Sequence, residues 1–281
     1  SYSGQIVLPI EERADIQATV ATAGQENVAE DKLGILEPLR ASLVLAQAGA
    51  SYMTGLVGNV SIPVYSGSNV GWAGEVTAAS DGAGTFSEVN LEPKRLTAYI
   101  DVSKQFLIQD SNSAEEMLKR DIVSAISNKL EATILGTAAG SATQPAGLLN
   151  GVTADTAAVT YTDFVNMEAT LGEKNVRGDI KFIVSPSAKA VLKSTAKNQN
   201  SFIMEGNEVN GYPVLCTSAV AGKGIVYGNF ADLVIGQWGG IDLTVDPYTQ
   251  AANGKVRLVI NAYFDAKPRR AEAFVKKVLK A

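Results

Sequence analysis

Any chemistry in this chain would have to come from carboxylates, lysines and one thiol. Histidine is absent and Cys216 is the single cysteine. Without histidine the chain lacks the usual general base at neutral pH and the commonest metal ligand, and a serine–histidine triad cannot be built. One cysteine allows no internal disulfide and no cysteine-based zinc site. Cys216 lies in the apolar run P-V-L-C-T, where a cysteine ordinarily serves as a small buried hydrophobe. Asp163, Glu168 and Asp232 are the carboxylates that a soluble α/β enzyme could use, but no spacing among them demands an acid–base pair. No phosphate loop occurs. The sequence therefore offers no catalytic residue, no cofactor-binding residue and no metal ligand, and the expectation is a protein that is not an enzyme.

The 281 residues, 46% of them hydrophobic, suffice for one large or two small cores. No apolar run approaches the roughly 18–20 residues needed to span a bilayer. The opening S-Y-S-G-Q-I-V-L-P-I-E-E-R lacks the basic start and long apolar segment of a signal peptide. The chain starts at Ser1 and not at Met, which trimming of the sequence and proteolytic maturation explain equally well. Net charge is −5, whereas a protein that grips nucleic acid by its phosphates is usually basic. Charge is uneven: residues 1–40 carry seven acids and three bases, and residues 265–281 two acids and six bases. Either both ends are simply solvated, or the acidic end of one copy meets the basic end of another.

The elements that would position these residues follow from periodicity. Residues 1–32 have few large apolar side chains and read as an arm that orders only against something else. Residues 33–64 are mixed, with an apolar run Leu43–Leu45 and a strand Val60–Tyr65. Residues 65–98 read as an extended hairpin with a glycine-rich tip, its second limb alternating through Phe86, Val89, Leu91, Leu96 and Ala98 toward Ile100 and Val102. A limb of about 14 residues at ~3.3 Å reaches roughly 45 Å, and such a ribbon needs a neighbour to lie on. Residues 113–135 predict a long helix: Ser113-Ala-Glu-Glu116 forms a capping box, Leu118, Ile122, Ile126, Leu130 and Ile134 form its apolar stripe, and Gly136 ends it.

Beyond Gly140 the texture is α/β. Thr162 would cap a helix carrying Phe164, Met167 and Leu171; Lys181–Ser185 would be a buried strand; Ser187 would cap the next helix. A ladder of strands follows at Pro213–Thr217, Ile225–Gly228, Leu233–Trp238 and Leu243–Val245. Asn253-Gly254 reads as a two-residue hairpin turn before the strand Lys255–Phe264, and Pro268 breaks that strand ahead of an apolar tail, Ala271–Leu279.

Several words occur in a specific order: G-T-A-A-G-S-A-T-Q-P-A-G-L-L-N after the helix, V-S-P-S-A after a strand, then N-G-Y-P-V and G-N-F-A-D before an apolar strand ending in W-G-G. In that order they resemble the major capsid proteins of tailed phages, the Hong Kong 97-type family, from about Leu33 to the C-terminus. The resemblance implies an α+β fold with a set layout. An N-terminal arm would occupy 1–32, a peripheral domain 33–64, 99–140 (with a spine helix at 113–135) and 240–267, an extended loop 65–98, and an axial α/β domain 141–239. A C-terminal segment, 268–281, would return to the axial domain. It implies a structural protein that self-assembles as hexamers and pentamers into an icosahedral head around double-stranded DNA, held non-specifically. Portal, scaffold, protease and decoration proteins would be its partners, with no membrane, and the virion, assembled in the bacterial cytoplasm, its location. It also implies removal of a scaffold or delta segment, in keeping with a start at Ser1. An encapsulin-type nanocompartment shares the fold and is the alternative. Some members of the family weld neighbours through a loop lysine, an asparagine and a buried glutamate. Here no lysine lies between Tyr65 and Pro93, Lys94 falls near the loop's base, Asn253 is the candidate acceptor, and Val256–Phe264 carries no glutamate. No covalent weld is therefore expected.

Overall fold

The computed structural model describes residues 44–73, 75, 76, 78, 80–104 and 111–280, with 111–119 described by backbone alone. The arm at 1–32, Leu43 and the side chains of Ser113, Glu116 and Leu118 lie outside the described residues. The chain divides into two compact units, one drawn from Thr97–Met117 and Ile241–Asn261, the other from Ile35–Leu96, Leu118–Gly240 and Ala262–Ala281.

The second unit opens with a short helix α1 (Val44–Ala48) and strand β1 (Ser51–Met53). Next come β2 (Val60–Tyr65) and β3 (Phe86–Leu91), paired antiparallel from Val60↔Leu91 to Tyr65↔Phe86. Here the structure corrects the sequence reading of the extended hairpin at 65–98. Its paired limbs are six residues each, not about 14. The alternating run that starts at Phe86 is two strands, because Glu92-Pro93 interrupts it. Proline cannot donate to a ladder, and the Glu92 N–H turns aside to the Asp265 carboxylate at 3.0 Å. Strand β4 (Lys94–Ser103) then joins a different sheet.

Helix α2 covers Ser111–Ile134. Ser113 therefore lies inside its first turn and not ahead of it. Ile122, Ile126, Leu130 and Ile134 are buried, as their four-residue spacing requires. The end of α2 is closed by the loop that follows, not by a left-handed glycine. Leu148 N–H donates to Ile134 O at 2.7 Å and Leu149 N–H to Gly136 O at 3.0 Å, satisfying carbonyls the helix leaves orphaned. A Cβ on Gly147 would lie 2.0 Å from Gly136 O, so only glycine lets this loop approach.

One core of the second unit belongs to a six-stranded sheet. Its helices are α3 (Tyr161–Glu173) and α4 (Pro186–Ser194). Its strands are β5 (Ile180–Val184), β8 (Met204–Glu205), β9 (Glu208–Val209), β10 (Tyr212–Cys216), β11 (Gly224–Asn229) and β14 (Phe274–Val278), in the order β14-β11-β5-β10-β9-β8. A small hairpin, β6 (Ala196–Asn198) with β7 (Ser201–Phe202), precedes β8. Strands β5 and β10 are parallel, with α4 in the crossover between them, while β11 runs antiparallel to both β5 and β14. Phe164, Met167 and Leu171 of α3 pack on Phe182, Ile225 and Tyr227 of the sheet. The Phe182 and Tyr227 rings stack at 4.2 Å between centroids.

Both helices begin two residues earlier than their serine and threonine content suggests. The cap of α3 is Thr160, not Thr162: Asp163 at the third helical position accepts from the Thr160 N–H (2.7 Å) and hydroxyl (2.9 Å). The cap of α4 is Ser185, not Ser187; its Oγ accepts from Ala188 N–H at 3.0 Å and Pro186 takes the first helical position. Proline has no N–H to satisfy and is favoured there.

The remaining sheet has the order β1-β12-β13-β4, where β12 is Leu233–Asp246 and β13 is Lys255–Pro268. Strand β12 replaces the two shorter strands read from the sequence. Gly239 takes φ +65° within the strand without ending it. The connection to β13 is longer than a two-residue turn: Asp246 accepts from Tyr248 N–H and Thr249 N–H, and a 3₁₀ turn at Ala251–Asn253 ends on left-handed Gly254.

Candidate assembly surfaces

Asp163 and Glu168 have separate structural partners, and Asp232 lies apart from both in sequence and in its element. Asp163 caps α3 and accepts from Lys277 at 3.1 Å, and Lys277 also reaches Asp155 at 2.7 Å. Burial raises the Asp163 pKa, but hydrogen bonds from Thr160 and Lys277 outweigh it and hold the carboxyl below its usual range. These groups line a cavity of about 410 Å³, whose two acids share Lys277 as their ion-pair partner. Glu168, five residues along α3, accepts from Tyr212 and Asn210, and Asn210 in turn accepts from the Tyr161 hydroxyl at 2.5 Å. Asp232 sits in a 3₁₀ turn after β11, its carbonyl accepting from Arg269 N–H at 2.7 Å. Among the described residues no group of three or more His, Cys, Asp or Glu could hold a metal. Cys216 is half-buried at the end of β10, not fully enclosed as the apolar run around it suggested.

The ribbon β2–β3 carries the unusual surface. Val70, Trp72, Val76 and Phe86 are 93%, 107%, 100% and 77% exposed. Scattered apolar residues on a surface are ordinary, but four large exposed ones fall within residues 70–86, the stretch that joins β2 to β3 and opens β3. The tip is zipped beyond its strands, with Ser66 N–H to Thr85 O at 3.0 Å and Asn69 N–H to Gly82 O at 2.9 Å. Tyr65 lies against Phe86 with ring centroids 4.6 Å apart. Local hydrogen bonds thus hold the tip in shape while its apolar side chains face water.

The base of the ribbon is anchored. Leu91 packs with Val234 and Trp238, and Val60 and Ile62 close over them. The Trp238 indole N–H donates to Gly58 O at 2.6 Å. Beside this cluster lies a buried ion pair that the sequence reading missed. Lys94 is 8% exposed and sits 3.2 Å from the fully buried Asp265, which also accepts from Glu92 N–H. A lysine directly after a proline in an alternating strand, and an aspartate inside the apolar run Y-F-D-A, were the available signals. The same pair fixes the status of the lysine nearest the loop: Lys94 is enclosed and partnered. Asn253 donates to the Gln250 side chain at 2.7 Å.

Glu131 is the second buried acid missed in the sequence. It stands beside Leu130 in the apolar stripe of α2 and accepts from Val44 N–H at 2.8 Å and Thr217 Oγ1 at 3.2 Å. It thereby ties α2 to the start of α1 and to the loop after β10. Burial pushes its pKa up, only partly offset by these hydrogen bonds.

Similarity to known proteins covers nearly the same stretch as the fold. A model of the Phage capsid family matches residues 31–279. The major capsid protein of Halomonas phage phiHAP-1 is 30% identical over 251 residues, which is 85% of this chain and 41% of that protein. The chain thus spans about two fifths of that relative's length. Among solved structures, the capsid of a native GTA particle has a TM-score of 0.68 at 19% identity, covering 93% of this chain and 97% of that one. A chain of Gordonia phage Cozz has a TM-score of 0.64 at 15% identity, covering 85% and 86%. At these identities the likeness is one of fold, the mixed α and β architecture of Hong Kong 97-type phage capsids. A match across almost the whole length, backed by that fold, means that the chain belongs to the phage capsid family.

Proposed function

We propose that this chain is the repeating wall subunit of a tailed-phage head, a structural protein and not an enzyme. The observation that carries the reading is the family match from residue 31 to 279. The exposed apolar ribbon adds to it, because a lone subunit gains nothing from holding Trp72 and Phe86 in water. In this reading residues 1–32 are the arm and the ribbon within 65–98 is the extended loop. Residues 33–64, 99–140 and 240–267 form the peripheral domain with α2 as its spine, 141–239 form the axial domain, and 268–281 return to the axial domain. Subunits associate as hexamers and pentamers, each ribbon lying on a neighbour. Portal, scaffold, protease and decoration proteins complete the head, which assembles in the bacterial cytoplasm and ends in the virion. Packaged double-stranded DNA meets the wall without sequence preference; a net charge of −5 keeps the wall from adhering to the polyanion. The encapsulin alternative draws no support from the relatives named above, which are phage and GTA capsids.

The test is assembly. The purified chain, followed by size-exclusion chromatography and negative-stain imaging, is expected to form ring-shaped oligomers and closed particles of uniform size. A chain that stays monomeric at every concentration and ionic strength overturns the reading.

A further inference from the structure

The sequence holds three Asn-Gly pairs, at Asn150-Gly151, Asn210-Gly211 and Asn253-Gly254. Each is open in principle to the same spontaneous reaction. The backbone nitrogen of the glycine attacks the side-chain Cγ of the asparagine, a new N–Cγ bond closes a five-membered imide, and the side-chain nitrogen leaves as ammonia. Water then opens the ring at either carbonyl, giving aspartate or isoaspartate. The reaction needs a free carboxamide, an available glycine N–H and a backbone that can turn to bring the two together.

From these requirements we infer that Asn150 is a modification site of the folded protein, converting to aspartate and isoaspartate while Asn210 and Asn253 are protected. Asn150 is exposed, and among the described residues its carboxamide has no hydrogen-bond partner. It is the second residue of a turn closed by Val152 N–H on Leu149 O at 3.2 Å, with Gly151 third at φ +75°. In such a turn the N–H of the third residue lies outside the closing hydrogen bond. The attacking nitrogen is therefore available, and glycine gives the peptide freedom to rotate.

The other two pairs fail different requirements. Asn210 is left-handed (φ +53°) in a tight turn between β9 and β10, whose ladder pairs Tyr212 with Val209. Its carboxamide is held at both ends: the oxygen accepts from Tyr161 and the nitrogen donates to Glu168. Conversion there would also set a new carboxylate against Glu168. At Asn253 the side-chain nitrogen donates to Gln250, and the attacking nitrogen of Gly254 is itself tied to Ala251 O at 3.1 Å.

Trypsin separates the three pairs, which fall in peptides Leu130–Lys174, Asn198–Lys223 and Gly224–Lys255. The chain, in its native oligomeric state and again unfolded in urea, is aged in mildly alkaline buffer, digested, and read by mass spectrometry with fragmentation to locate each converted asparagine. In the native protein conversion is expected to concentrate at Asn150, several-fold ahead of the other two, and in urea the three rates should draw together. Tyr161→Phe, which removes the donor on Asn210, is expected to raise conversion at Asn210 alone. Conversion at Asn210 or Asn253 as fast as at Asn150 in the native protein overturns the inference. So does a preference for Asn150 that persists unchanged in urea, since the selection would then come from local sequence and not from the fold.

Discussion

Removing the Lys94 ammonium while keeping Asp265 would leave a charged carboxylate fully enclosed, with only the Glu92 and Ala266 N–H groups to solvate it. Breaking a buried pair in this one-sided way typically costs roughly 3–5 kcal/mol, so Lys94→Ala is expected to lower stability by that order in urea unfolding. Lys94→Met combined with Asp265→Leu should recover part of the loss. The remaining cost is the two orphaned donors, the Glu92 and Ala266 N–H groups, about 1–3 kcal/mol each. Glu131 makes a prediction of the opposite kind. Its folded-state pKa is raised, chiefly by burial, so the folded protein holds that proton more tightly than the unfolded chain. Its contribution to stability is therefore fully present at low pH and falls as pH rises above the ordinary glutamate value of about 4.3. Glu131→Gln keeps an acceptor for Val44 N–H without the charge. Relative to the parent, the variant should gain stability on going from acid to neutral pH, as read by denaturant melts across that range; a parallel pair of curves would refute it. Neither pairing was legible from sequence, because each partner lies far along the chain; only the odd placement of Lys94 and of Asp265 was visible. The absence of histidine and the lone cysteine were legible, and they set the expectation that metal and nucleophile chemistry lie elsewhere than in this chain.

Elements whose cause is local were easier to read than elements whose cause is tertiary. The stripe of α2 and the alternation of β13 follow from side-chain spacing alone, and both elements stand within a few residues of where that spacing puts them. The caps of α3 and α4 were misassigned by two residues because several Ser and Thr side chains compete there. The choice was made by Asp163 reaching back to Thr160 and by Pro186 fixing the first turn. The ribbon was misjudged for a tertiary reason: periodicity runs through Glu92-Pro93, and only the Asp265 carboxylate, distant in sequence, shows that the chain changes sheets there. What the ribbon presents leads to a clean separation of folding from association. Trp72 is 107% exposed, so Trp72→Ser should change unfolding free energy by no more than about 0.5 kcal/mol, the usual range for surface sites. If the ribbon rests on a neighbour, the same change should sharply reduce the yield of closed particles in negative stain. Wild-type particle yield from the variant would show that the tip is not an interface.

At the scale of the whole molecule the question is what would hold many copies together. Covalent welding would need a nucleophile on the exposed ribbon, and no lysine lies between Tyr65 and Pro93. Lys94, the nearest, is buried against Asp265 and would have to break that pair to react. Cys216, half-buried in β10, is the only thiol. The expectation is that cohesion comes from non-covalent contacts repeated by symmetry. A standard interface buries about 1,600 Å², and a subunit in a closed lattice shares its surface with several neighbours, so modest contacts sum to a stable wall. The excess of acids in residues 1–40 and of bases in 265–281 would add a salt-sensitive component if these segments meet between copies, weak for each exposed pair. Part of the basic set is already engaged, since Lys277 is held between Asp155 and Asp163, which leaves Lys280, Arg269 and Arg270 as the more exposed members. The expected outcome is that assembled particles loosen as salt is raised, and that particles boiled in detergent with reductant run as one band at the chain's own mass. A ladder of multimers surviving that treatment would mean that some other pair of side chains forms a bond between subunits, and mass spectrometry of the ladder would identify it.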